Sequence, residues 1–236
     1  MHIPNGFIDP KMATGLGLAS AGALAYCFAK VKALVASPVL KEALAGVGKT
    51  ISSISGKARS SFGDTFIIKM GAVASLIFAA QMFNFPVAQG TSGHLLGGVL
   101  AAVILGPWAG TIVISAILTI QSLFFADGGI LVLGVNIFNM AIIGSIGGYY
   151  IYYGTKRLVG FFPGAAIAAW LSVVAAAAAT ALELGLSGTF ELIETMKAML
   201  SVHAIIGIAE AAITIAVLGL IMTIDRKLIE AFNNNE

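Results

Sequence analysis

An all-α, polytopic membrane protein of about seven transmembrane helices is the fold this sequence predicts, and two observations carry the prediction. Hydrophobic residues make up 58% of its 236 residues and charged residues only 10%, where a soluble domain carries about a quarter charged residues. The mean hydropathy is +0.98. Its apolar stretches approach the roughly twenty residues that a spanning helix needs, and they lack the period-two alternation of barrel strands.

The elements follow in order. A first helix is expected over 12–28, then a polar connection over 37–65 that is rich in serine and glycine and carries Lys41, Glu42, Lys49, Lys57, Arg59 and Asp64. It reads as a solvent-exposed connection inside a single integral-membrane domain over 1–236, not as a domain of its own. The second helix is expected over 66–85. A third, over 93–105, is short, and Gly106-Pro107 breaks it from a fourth over 107–125. Proline cannot continue a helix, so these two are expected to form a tight hairpin or a partly re-entrant pair. Helices over 137–153, 162–184 and 202–224 complete the set.

Charge orients the bundle. With the 37–65 connection in the cytoplasm, eleven of the thirteen basic residues lie inside, and only Lys11 and Lys197 lie outside. Such an asymmetry predicts an outside amino terminus and a cytoplasmic carboxyl terminus. The outer face then collects Met1, His2, Asp9, His94, Asp127, Asn136 and His203, and with them every histidine of the chain.

That face suggests a metal site. The first residues lack the basic region of a signal peptide, which predicts Met1 as the retained terminus in front of the bulky His2. A terminal amine, the next main-chain nitrogen and the His2 ring can close a five-membered and a six-membered chelate ring on one ion. Nitrogens in one plane suit nickel(II) or copper(II). The ordinary pKa values of about 7.7–8.0 for such an amine and about 6.5 for imidazole predict proton competition between neutral and mildly acid pH. His94 follows a glycine-rich turn, Gly90-Thr91-Ser92-Gly93, where another segment can approach closely. A lone histidine there would read as a helix cap, but with a chelating terminus on the same face it is the candidate fourth nitrogen. The single cysteine, Cys27, excludes an internal disulfide and a cysteine-built site.

The blocks MHIPNGFIDP, FPVAQGTSGHLLGG, LGPWAG, TIQSLFFADGGILVLGVNIFNM and GIAEAAIT together resemble the CbiM/NikM family, the substrate-binding S-components of nickel and cobalt energy-coupling factor transporters. The resemblance implies the S-component fold with an extra amino-terminal helix, and nickel or cobalt as substrate, with no cofactor and no enzymatic activity. It implies the metal ligands Met1 (amine), His2 (main chain and ring) and His94. It also implies partners: a transmembrane coupling protein (the T component), two ATPase subunits and a small accessory membrane subunit. Asn5 stands where many relatives carry an acidic residue, and the 37–65 connection is unlike the rest of the match.

Other polar residues are weighed individually. Asn136, His203 and Glu210 are candidates for the layer around the ligands. His203 and Glu210 stand seven apart on one helix face, roughly 10 Å along the axis. An intramembrane carboxylate is costly, and Glu210 reads as a hydrogen-bonded residue joining helices. Gln121 and Asn139 are assigned to structure, and Met70, Met82 and Met140 to core filling. Ala45-Gly46-Val47-Gly48-Lys49-Thr50 resembles the end of a phosphate loop, but Ala43 stands where the first glycine belongs, which excludes nucleotide binding there. Small residues at four-residue spacing, Ala13, Gly17, Ala21, Ala25 and Ala29, and again Ala165, Ala169, Val173, Ala177 and Ala181, make two smooth faces, either of which suits a docking partner or internal packing. A stand-alone channel or proton-coupled carrier using Glu210 is the alternative. It would show inverted halves or several midplane acids, and the sequence has neither. An intramembrane metallohydrolase would need a motif such as HExxH, which is absent.

Overall fold

The computed structural model describes residues 1–36, 62–86, 92–224 and 226–229. Seven helices occur among them: α1 (Pro10–Ala36), α2 (Phe62–Gln81), α3 (Gly98–Leu105), α4 (Pro107–Phe124), α5 (a continuous run over 133–159), α6 (Phe161–Leu186) and α7 (Leu192–Ile224). Within α5 the middle section, Ile137–Gly147, is wound as a π-helix. Of these, α1, α4, α6 and α7 are long and apolar enough to cross a membrane as single regular helices. Residues 37–61, most of the expected connection and all of the phosphate-loop look-alike, lie outside the described residues. Residues 62–65, assigned to the connection from sequence, form the first turn of α2.

The third expected helix is corrected most. Residues 92–94 form a strand, β2 (Ser92–His94), antiparallel to β1 (Asn84–Pro86), with Asn84 opposite His94. The second expected helix therefore ends at Gln81 rather than at residue 85. Helix begins again only at Gly98, after Gly97 at φ 73°, a left-handed conformation that glycine adopts at little cost. The main-chain amides of Leu96 and Gly97 donate instead to the Glu210 carboxylate, at 2.7 and 2.6 Å. A distant side chain thus satisfies the donors that helical bonding would have used.

The eight residues of α3 are all buried, so this half-helix lies inside the bundle, against α4, α5 and α6. Glycines permit the approach. A Cβ on Gly98 would stand 2.5 Å from the Gly144 carbonyl carbon in the π section, and one on Gly110 would stand 2.9 Å from the Ala102 main chain. That the π turn lies beside α3 fits the usual role of such turns as local adjustments near functional sites.

The ends of the remaining helices also differ from expectation. Gly160, at φ 91°, separates α5 from α6, and Pro163 falls in the first turn of α6, where its missing N–H costs nothing. The last helix starts at Leu192, ten residues before 202, because the exposed pair Lys197–Glu194 (2.9 Å) rides on a helical extension beyond the apolar stretch. α1 is peripheral: only Ser20 and Cys27 are buried on it. It is held where Ser20 Oγ donates to Gly134 O at 2.6 Å and where Gly17 meets Gly134.

The two small-residue faces separate here. On α6, Ala165, Ala169, Val173, Ala177 and Ala181 are completely buried, so that stripe is internal packing. On α1, Ala21, Ala25 and Ala29 are exposed.

Candidate metal centre

The first three residues are enclosed rather than splayed outward: Met1 and Ile3 are fully buried and His2 is 4% exposed. Polar ties hold this strap. The Ile3 amide donates to Asn136 Oδ1 at 2.9 Å, and Asn136 Nδ2 donates back to the Ile3 carbonyl at 3.2 Å. Gly129 N–H also donates to that carbonyl, at 2.8 Å. Further along, Asn5 Oδ1 accepts the Leu131 amide at 2.9 Å, which a neutral amide oxygen does as well as a carboxylate. Ile3 and Ile8 pack with Val132, Val135 and Leu184. Asp9 then caps α1, its Oδ1 accepting from the amides of Lys11 and Met12.

The loop after α4 is shaped to receive the strap. Ala126 (φ 53°) and Gly128 (φ 89°) both adopt left-handed conformations, and the strap crosses close against the main chain. A Cβ on Gly128 would stand 2.7 Å from His2 Nδ1 and 3.0 Å from Asn136 Nδ2, and one on Gly129 would overlap Asn5. Gly129→Ala is expected to push the strap outward and weaken metal binding roughly tenfold to a hundredfold, the usual range for disturbing groups that orient metal ligands. Titration calorimetry of the variant checks this, and unchanged affinity would show that the strap does not need this contact.

The imidazoles of His2 and His94 meet at the strap's end, with ring centroids 4.7 Å apart. His94 Nδ1 lies 2.6 Å from the Leu95 carbonyl. A carbonyl only accepts, so Nδ1 carries the proton and Nε2 keeps a lone pair. His203, on α7, has the same arrangement with the Met199 carbonyl at 2.7 Å. Nε2 of all three histidines is buried without a hydrogen-bond partner. Leaving a buried polar group unsatisfied costs about 1–3 kcal/mol, so three together point to a site that takes a ligand. Among the described residues no three His, Cys, Asp or Glu side chains could together hold a metal ion. An ion here would therefore use main-chain nitrogens as well as the rings.

Electrostatics prepares the donors. Burial pushes the Met1 amine down to about 5, against an opposing pull from Asp127. Burial, reinforced by the nearby amine, brings His94 down to about 3. His2 lies well below its ordinary value, from burial first and then from His94 and the amine. At neutral pH all three are uncharged bases, the form that metals require. Asp127, whose carboxyl is raised by burial, lies with Oδ2 3.8 Å from His2 Nε2.

Met1, His2 and His94, the candidate ligands, thus come together, with Asn136 bracing the strap behind them. Glu210 is spent on the amides of Leu96 and Gly97 and acts on the segment that carries His94. Gln81 Nε2 donates to the Leu96 carbonyl at 2.7 Å and in turn accepts from Gln121 at 2.8 Å. Asn139 lies apart, donating to Thr180 and Glu183. Sequence reasoning did not single out Gln81, and it placed Asp127 on the outer face without its approach to the His2 ring. The Asp127-Gly128-Gly129 turn was the available signal for the latter.

The family model described as the cobalt uptake substrate-specific transmembrane region matches residues 2–228. A putative fused nickel transport protein NikMN of Archaeoglobus fulgidus is 35% identical over 232 residues, covering 98% of this chain and 68% of the relative. A putative metal transport protein of Haloquadratum walsbyi is 38% identical over 220 residues, 92% of this chain and 88% of the relative. A crystal structure of a truncated transition metal transporter superposes with a TM-score of 0.79 at 32% identity, over 94% of this chain and 99% of that one.

Proposed function

The chain belongs to the CbiM family of cobalt uptake substrate-specific transmembrane proteins, and from that premise we propose that it is the ion-capture subunit of a nickel or cobalt importer. The ion sits on the Met1 amine, the main-chain and Nδ1 nitrogens of His2, and His94 Nε2. The observation that carries this reading is the burial of the chain's terminal amine beside two neutral imidazoles. The six-membered ring of the chelate closes only through His2 Nδ1. Four nitrogens near one plane favour nickel over cobalt, and since copper would bind such a set more tightly still, metal availability contributes to selectivity.

Burial changes the expected pH response. Because the amine is held near 5 and the imidazoles lower or well below their ordinary range, the only proton released on binding at neutral pH is that of the His2 main-chain amide. Affinity is expected to fall about tenfold per pH unit from pH 8 to 6 and more steeply as the pH drops through about 5. Calorimetric titrations across that range test it, and a loss much steeper than about tenfold between pH 8 and 7 would show that the amine is also charged in the resting protein.

The sidedness of basic residues supports a metal site at the outer face, with the carboxyl terminus in the cytoplasm. The energy for uptake then comes from a T component, two ATPase subunits and a small accessory membrane subunit. The exposed face Ala21, Ala25, Ala29 on α1 is the smooth surface that suits close docking of another helix bundle. Ala25→Leu is expected to leave one ion bound per chain and to stop uptake by the assembled transporter. Ala177→Leu, on the buried stripe, is expected instead to destabilise the protein by about 1–3 kcal/mol through overpacking. Measuring ion stoichiometry and uptake side by side separates the two. In liposomes, sustained concentrative nickel uptake by this chain alone would favour a carrier, although Glu210, committed to two amides, is poorly placed for a relay.

A further inference from the structure

Beside the nitrogen site lies an open cavity of about 360 Å³, lined by Gln81, Asn84, Gln121, Phe125 and Asp127 among others. Six waters occupy about 180 Å³ at about 30 Å³ each, so a fully hydrated divalent cation fits. Asp127 is the only charged residue among the described residues lining it, and its side chain is 26% exposed. Asn84 Nδ2 approaches its Oδ2 at 3.4 Å from the cavity side. The same Oδ2 lies 3.8 Å from His2 Nε2, a buried nitrogen without a hydrogen-bond partner. A second buried orphan, Gln121 Oε1, belongs to another residue of the lining.

We propose that this cavity is the portal through which the hydrated cation reaches the nitrogen site, and that Asp127 at its inner end is the capture residue. The inference rests on the nitrogen site being the cargo site. One carboxylate then serves twice. Its charge concentrates divalent cations in the cavity, as a cleft carrying charge of one sign does. When the ion moves onto His2 Nδ1, the proton of that ring stands on Nε2, facing Asp127. A small rotation closes the 3.8 Å gap into a hydrogen bond, the carboxylate–histidine–metal arrangement that fixes ring tautomer and orientation. The amide oxygens of Gln81 and Gln121 and the amide of Asn84 offer the departing hydration waters partners along the way.

The test is stopped-flow nickel association with the full chain in detergent, for wild type, Asp127→Asn, Asp127→Glu and Asn84→Lys. Asp127→Asn is expected to reach one nickel per chain only at higher metal concentration, with affinity about tenfold to a hundredfold weaker from the lost tie to His2, and to associate at least about tenfold more slowly and lose most of the salt dependence of the rate. Asp127→Glu should recover much of the rate. Asn84→Lys adds a positive charge at an exposed lining position without touching the ligands, and should also slow association about tenfold. Wild-type rates and salt dependence in both Asp127→Asn and Asn84→Lys would overturn the portal while leaving the nitrogen site intact. If wild type itself takes up no nickel, the cargo-site reading fails and the portal falls with it.

Discussion

Acetylating the amino terminus, or leaving an uncleaved tag in front of Met1, is expected to abolish nickel binding, with a loss of affinity of a thousandfold or more. Acetylation removes the lone pair on the amine. An extension has no room, because Met1 is completely enclosed. Accommodating it would pull out the strap, breaking three hydrogen bonds to Asn136 and Gly129 at about 1 kcal/mol each. It would also expose Met1 and Ile3, at about 1.5–3 kcal/mol each. The sum exceeds the roughly 4 kcal/mol that a thousandfold change represents. Metal content of purified protein before and after proteolytic removal of a tag that restores Met1 checks this. One tightly bound nickel on the tagged protein would remove the amine from the ligand set.

His94→Ala is expected to lose the absorption band of planar nickel and at least about a hundredfold in affinity, whereas His203→Ala keeps the band. Both rings are fully buried, and both present an unpartnered Nε2, so burial does not distinguish them. What distinguishes them is contact: His94 is in ring contact with His2, and His203 is tied to the Met199 carbonyl of its own helix, α7. Absorption spectra of the two variants at saturating nickel decide the matter. The opposite pattern would move the site onto α7.

The number and rough placement of the helices were legible in the sequence, because apolar length is a local property. What escaped it was set by groups far apart in the chain. Residues 93–97 look like the start of a helix until Glu210, more than a hundred positions later, takes the amides of Leu96 and Gly97. The early start of α7 was hidden by Glu194 and Lys197, which mark the end of the apolar stretch but not the end of the helix. The stripes on α1 and α6 have the same spacing and opposite fates, since a small-residue pattern does not say what covers it.

The candidate site divides in the same way. Met1 and His2 could be paired from chelate geometry alone, because they are covalent neighbours. His94 joined them because the charge asymmetry put it on the same face as the chelating terminus, and the resemblance implied the same set; nothing local separates a ligand from a cap. Asp127 was placed on the outer face with His2 and His94 by the charge asymmetry, but was otherwise visible only as part of a glycine-rich turn. Its place beside His2 follows from the left-handed Ala126 and Gly128, which turn the loop to meet the strap.

X-ray absorption at the nickel edge, on unblocked protein carrying one equivalent of nickel, tests the central claim most directly. The account predicts a four-coordinate planar spectrum with nitrogen neighbours only and imidazole scattering from two rings. A six-coordinate, oxygen-rich shell, or scattering from sulfur, would contradict it.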